Sequence, residues 1–228
     1  MNIFDHIVRF FQGGGFMMYP IAVVLVLGIC IALERWIYLT HTALRNRGLW
    51  GEVAPLLAQG NFRQAVQMTS KSHAAIGQIL NYGLARIGSS RRRDDIEKAM
   101  EESLMDVVPR LEKRTHYIAT FANVATLLGL LGTVVGLINA FAAVATVNPA
   151  EKANLLSASI SVAMNCTAFG LITAVPLLLI HAVIQTKTTE LIDSLEMASV
   201  KFLNAVTERA TVPPMPDRHS GQVAAQAS

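Results

Sequence analysis

Hydrophobic and polar positions do not alternate along this chain; the hydrophobic ones come in three long blocks. The first runs from about Phe16 to Leu39 and is uncharged until Glu34 and Arg35. The second runs from about Ile118 to Val147 without a charged residue, and the third from about Leu155 to Thr186 without Asp, Glu, Lys or Arg. A helix crosses a bilayer with roughly 20 apolar residues. Each block meets that length, and the excess in the last two predicts tilt or extension beyond the lipid. Elsewhere the pattern takes the 3.6 period of an amphipathic helix. Ile96, Met100, Leu104, Val107 and Leu111 form one such stripe, and Leu191, Leu195, Ala198, Phe202 and Val206 another. The expected fold is an all-α membrane protein. Three transmembrane helices (16–39, 118–147, 155–186) carry long helical cytoplasmic extensions at 40–117 and 187–212.

The remaining pieces are short. Ile3, Phe4, Ile7, Phe10 and Phe11 recur at helical spacing, so 1–15 is expected to lie as an amphipathic segment in the membrane interface. Gly13, Gly14 and Gly15 would turn the chain into the first span. The segment lacks the basic start of a signal peptide. Within 40–117, Gly48, Gly60 and Gly88-Ser89-Ser90 are expected breaks, and Asn61-Phe62-Arg63-Gln64-Ala65 opens a helical hairpin step. Asp94 or Asp95 can cap the next helix. Pro109 is the only interruption to a helix running from Arg93 into the second span. A connection at 148–154 joins spans two and three, and 213–228, rich in Pro, Ala and Gln, is expected to be disordered.

Composition agrees with a membrane chain: 52% of its 228 residues are hydrophobic and 15% charged, with mean hydropathy +0.41. Soluble domains carry about a quarter charged residues. Cys30 and Cys166 are the only cysteines, which excludes a disulfide framework and leaves them as packing residues. The net charge of +3 matters less than where the charge sits. Lys and Arg crowd into 40–117 and the tail, whereas 148–154 holds only Lys152 and the N-terminus only Arg9. The positive-inside rule therefore places the middle segment and the C-terminus in the cytoplasm, with the N-terminus outside. Arg91, Arg92 and Arg93 beside Asp94, Asp95 and Glu97 read as a helix-start cluster, not a nucleic-acid patch.

Catalytic motifs of soluble enzymes are absent, and the histidines have no metal-ligand spacing. No metal and no cofactor is expected. His181 reads either as an interfacial polar residue or as a proton relay. The informative residues are small or polar ones inside the last two spans. Gly129, Gly132 and Gly136 share a helix face that would let another backbone approach closely. Ser159, Ala163, Thr167, Gly170 and Ala174 form a small, hydroxyl-bearing face in the third span, which also carries Pro176. In antiparallel spans Thr133 and Thr167 fall at similar depth. Two hydroxyls there could receive a protonatable group or hold water, or merely join helices. Asn139, Ser161 and Asn165 could help conduct water.

At these residues the chain resembles the MotA/TolQ/ExbB proton-channel family. Gly129-Leu-Leu-Gly132-Thr133-Val-Val-Gly136-Leu-Ile-Asn139-Ala-Phe141 is similar to that family's "GLFGTVxGIxxAF" signature. Thr167-Ala-Phe-Gly170-Leu-Ile-Thr173-Ala174-Val-Pro176 is similar to its "TAxGLxxAIP" signature. The resemblance covers roughly 16–208 and implies a homo-oligomer, a pentamer, whose last two spans line a pore. It also implies a dimer of single-span ExbD/TolR/MotB-like partners, each bringing a proton-binding Asp to Thr133 and Thr167. The location implied is the bacterial inner membrane, and the work done is envelope transport, envelope maintenance or motility. One position departs from the pattern: Val162 stands where ExbB and TolQ carry a glutamate, so spans two and three hold no carboxylate. The rival expectation is a membrane scaffold that conducts no ions.

Overall fold

The structure, a computed structural model, describes residue 11, residues 13–89 and residues 92–211. Most of the expected interfacial segment and all of the expected disordered tail lie outside the described residues. Among the described residues all regular structure is α-helical: α1 (Met18–Gln59), α2 (Phe62–Lys71), α3 (Ala75–Ser89), α4 (Arg93–Glu112), α5 (Thr115–Thr146) and α6 (Pro149–Thr211). Among the described residues three helices are long and apolar enough to cross a membrane, their apolar windows falling in α1, α5 and α6. Only 17% of the α5 window is buried within the chain. Such exposure of apolar side chains requires lipid or further protein around it. The chain contacts divide it into two units, Met1–His41 with Pro109–Leu191, and Thr42–Val108 with Ile192–Ser228.

The first unit holds the spans. In it α1 and α6 run parallel: Gly15 faces Val162, Gly28 faces Leu177, and Trp36 meets Lys187. In contrast α5 runs antiparallel to α6, with Gly136 against Ala163 and Gly129 against Gly170. The chain enters α1 through the glycine run. Gly15 adopts φ +72°, which a glycine takes without penalty, and a side chain at Gly14 would collide with the Met18 sulfur.

The second unit packs the rest of α1 with α2, α3, α4 and the end of α6. Ile79, Leu80, Ile96, Met100 and Phe202 are fully buried in it. Gly83 admits both Met100 and Phe202; a Cβ there would sit 2.8 Å from each. The buried Asn46 side chain accepts the Ile76 N–H at 3.2 Å and so satisfies a donor in the first turn of α3.

Several sequence expectations are corrected. Gly48 does not break the chain: it lies inside α1, exposed, with nothing within 4 Å of its Cβ position. The break comes at Gly60, φ +77°, after which Asn61 leads into α2. The break expected at Gly88-Ser89-Ser90 falls where α3 ends at Ser89 and α4 begins at Arg93, although Gly88 and Ser89 are themselves still helical. Asp94 and Asp95 lie in the first turn of α4 instead of preceding it, where carboxylates favour the helix dipole. The connection between α5 and α6 narrows to Val147 and Asn148, since α6 begins at Pro149. Cys30 is exposed, whereas Cys166 is buried.

The largest difference lies where α4 gives way to α5, at the end of the spans that carries Glu34. Pro109 does not interrupt α4; the carbonyl it leaves without a donor belongs to Met105, which is 73% exposed. The helix stops instead at Lys113-Arg114, with Arg114 at φ +67°. That conformation costs a non-glycine residue about 1–2 kcal/mol. Arg114 Nη1 donates to both Glu34 oxygens, at 2.8 and 3.0 Å, which holds the turn against α1. Glu34 is therefore paired across the spans with Arg114. Glu34→Gln is expected to lower stability by about 1 kcal/mol. Arg114→Gly loses the same pair but also the strain, and is expected to come out near neutral. Thermal unfolding of the purified protein in detergent checks both. A far larger loss for Arg114→Gly than for Glu34→Gln would refute the clamp.

Candidate ion pathway

The contact between α5 and α6 is built from the smallest residues in the spans. A Cβ at Gly129 would lie 3.2 Å from Gly170 Cα and 3.3 Å from Thr167 Cα. One at Gly170 would lie 2.8 Å from the Ala125 carbonyl oxygen and 3.0 Å from Gly129 Cα. A Cβ at Gly136 would lie 2.8 Å from the Ala163 methyl, and one at Gly132 would overlap the Cys166 sulfur. Backbones so close need no large side chains between them; dispersion and short polar contacts hold them. Pro176 does not join this contact: it sits within α6 at an exposed position.

The close approach brings a hydroxyl to a carbonyl of the other helix. Thr167 Oγ1 donates to Gly129 O at 2.9 Å, a bond from α6 to α5. Thr133 Oγ1 donates within its own helix, to Leu130 O at 2.6 Å. The pairs 136/163 and 129/170 set a register in which Thr133 is level with Cys166 and Thr167 with Gly132. The two threonines thus differ by one residue in depth, about 1.5 Å. Each hydroxyl has one proton, and each proton is already given to a carbonyl. What both oxygens retain is acceptor capacity. They can accept a hydrogen bond from a protonated carboxyl group or from water, but in this arrangement they have no proton to offer a carboxylate.

The three polar candidates lie elsewhere around this pair. Asn165 is half-buried and its Nδ2 points to the Gly13 carbonyl at 3.5 Å, so it faces the N-terminal turn. The same turn is held by Phe11, whose ring meets Phe169 edge-on at 5.7 Å. Ser161 and Asn139 are exposed. Thr173, at an unspecified position of the signature, is fully buried, and its hydroxyl has no hydrogen-bond partner among the described residues. His181 Nε2 is likewise buried and unpartnered. Among the described residues no group of His, Cys, Asp and Glu is arranged to hold a metal ion. Between Thr115 and Thr146, and between Ala153 and Thr186, there is no Asp or Glu.

The sequence profile of the MotA/TolQ/ExbB proton channel family matches residues 71–197. The chain belongs to the MotA/TolQ/ExbB proton channel family. Similar proteins carry ExbB names. An ExbB homologue in biopolymer transport from Methanothermobacter thermautotrophicus is 28% identical over 199 residues, covering 86% of this chain and 69% of that protein. Biopolymer transport protein ExbB-like 3 of Synechocystis sp. is 24% identical, covering 74% of this chain and 80% of that one. The biopolymer transport protein exbB1 of Vibrio cholerae is 27% identical, covering 71% and 72% respectively. This MotA/TolQ/ExbB chain is therefore a multi-pass membrane protein of a transport and channel family, not of an enzyme family, with energy transduction at the membrane as its setting.

The end of the spans near Glu34 and Lys187 holds residues that the sequence reading left apart. Arg114 pairs with Glu34, as described. Lys187 places its ammonium 3.3 Å from the centre of the Trp36 ring, and Arg35, only 3% exposed, lies 5.2 Å from the Tyr38 ring. The signal for the first pair was present: opposite charges end two neighbouring apolar blocks, and antiparallel spans bring such ends together. The signal for Asn165 and Gly13 was not, because that contact depends on where the glycine run sits against α6.

Proposed function

We propose that this protein is the channel and stator subunit of an inner-membrane motor. Five copies surround a pore lined by α5 and α6, and a dimer of single-span ExbD/TolR/MotB-like partners occupies it. The ion is the proton, carried on a partner Asp, and the C-terminus is cytoplasmic. The observation that carries this reading is the pairing of two hydroxyls at matched depth with the lack of any carboxylate in α5 or the apolar part of α6. A site that accepts from a protonated acid and has no acid of its own needs one from a partner. An ionised Asp within lipid is costly, so proton binding would let the partner helix move past this surface. The membrane potential supplies about 2.3 kcal/mol per charge per 100 mV for that motion. Pairing of Asn139 or Ser161 with water would extend the path.

Native mass spectrometry of the protein expressed with its single-span partner tests the assembly. Reconstitution of that complex into vesicles with a pH-sensitive dye tests the flux. Five copies with two partners, and proton uptake that vanishes when the partner Asp is changed to Asn, are expected. A complex of the same stoichiometry that moves no ions would leave a scaffold.

A further inference from the structure

An apolar groove of about 440 Å³ lies between α1 and α6 on the outside of the span unit. Ile29, Ala32 and Leu33 line it from α1, and Leu179, Ile180 and Val183 from α6. Trp36 closes its inner end, 44% exposed, with Lys187 against the ring. Among the described residues Lys187 forms no salt bridge, and Glu34, two residues before Trp36, is bound to Arg114. The groove thus combines an apolar channel in the membrane interior with an ammonium that has no carboxylate partner and an indole at the polar boundary. Those are the two ends of a phospholipid: an acyl chain and an anionic headgroup. Trp and Tyr favour that boundary, and a basic side chain there draws anionic lipid.

We propose that this groove is a binding site for one anionic phospholipid of the adjacent leaflet, with its acyl chain along Ile29, Leu33 and Val183 and its phosphate on Lys187. A zwitterionic lipid fits the same channel but gains less from the ammonium, so the site discriminates by headgroup. The preference expected from one lysine near the surface is about five-fold. The proposal is independent of proton conduction and of the pore: it requires only that the spans sit in a bilayer.

The test uses Trp36 as its own reporter. Full-length protein carrying Trp50→Phe leaves Trp36 as the single tryptophan. It is reconstituted in phosphatidylcholine vesicles containing brominated phosphatidylglycerol or brominated phosphatidylcholine in equal small fractions, and the quenching of its fluorescence is compared. Stronger quenching by the brominated phosphatidylglycerol, by about five-fold in apparent affinity, is expected. Lys187→Gln should remove the difference while leaving quenching by both lipids. Native mass spectrometry of the unsubstituted protein gives a second reading, with phosphatidylglycerol retained through delipidation and lost in Lys187→Gln. Equal quenching by the two lipids would overturn the proposal, leaving ordinary annular contact. Absence of quenching by either would also overturn it, since another copy of the chain or a partner helix would then cover the groove.

Discussion

Gly170→Val is expected to have the largest effect of any substitution in the spans. Its first added carbon would fall 2.8 Å from the Ala125 carbonyl and 3.0 Å from Gly129 Cα, both backbone atoms that cannot swing aside. The helices must separate, or α6 must shift along its axis. Either change lengthens the Thr167–Gly129 hydrogen bond, which is 2.9 Å in the native arrangement. Overpacking of this kind costs about 1–3 kcal/mol. Loss of the interhelical hydrogen bond adds about 0.6 kcal/mol on the scale measured for membrane helices. The expected result is a fall in melting temperature in detergent. Gly48→Val is the control. It places the same side chain in α1 where nothing lies within 4 Å, so only the helix-propensity difference between Gly and Val remains. A Gly170→Val protein that melts with Gly48→Val would show that α5 and α6 do not rely on this contact.

That contrast also separates what the sequence could and could not reveal. Both glycines look alike as letters, and the reading of Gly48 as a break followed from glycine's cost in a helix. The residues after it, Leu49, Val53 and Leu57, continue an apolar stripe into the second unit, and Val53 and Leu57 are buried there. Tertiary packing therefore outweighed a penalty of about 1 kcal/mol. Gly60 does break the chain because no such stripe continues through it. In the spans the reading was easier, since lipid leaves helices as the one solution for an apolar block. The three blocks were legible for that reason, and so was the glycine face of α5, whose positions follow from helical spacing alone.

The break between α4 and α5 was not legible. Pro109 carried the only local signal, whereas Lys113 and Arg114 have no tendency to end a helix. Arg114 adopts its left-handed backbone because Glu34, 80 residues away, binds it there. The charges at the ends of the two apolar blocks hinted at the pair, but no residue near Arg114 marks the end of the helix itself. The same holds for Asn165. Its spacing on α6 puts it beside Thr167, but its amide faces the Gly13 carbonyl. Reading it as part of a water path required knowing where the chain upstream of α1 lies.

Thr167→Val and Thr133→Val should differ, although the two hydroxyls are level. Removing the Thr167 hydroxyl leaves the Gly129 carbonyl without its cross-helix donor, so stability and function fall together. Removing the Thr133 hydroxyl costs little stability, because Leu130 O keeps its helical N–H partner and loses only a second, local donor. Under the proposed mechanism both substitutions abolish acceptance of a hydrogen bond from a protonated partner acid. Proton uptake by vesicles should therefore fall about five-fold in each, as expected for loss of a hydrogen bond from a neutral carboxyl group worth about 1 kcal/mol. Melting temperature should fall clearly only in Thr167→Val. Thr133→Ser and Thr167→Ser keep the oxygen and its donor and should retain flux. A Thr133→Val complex that conducts normally would remove Thr133 from the path. Retained flux in Thr167→Val as well would mean that the two hydroxyls only join helices and that the partner's proton is received elsewhere.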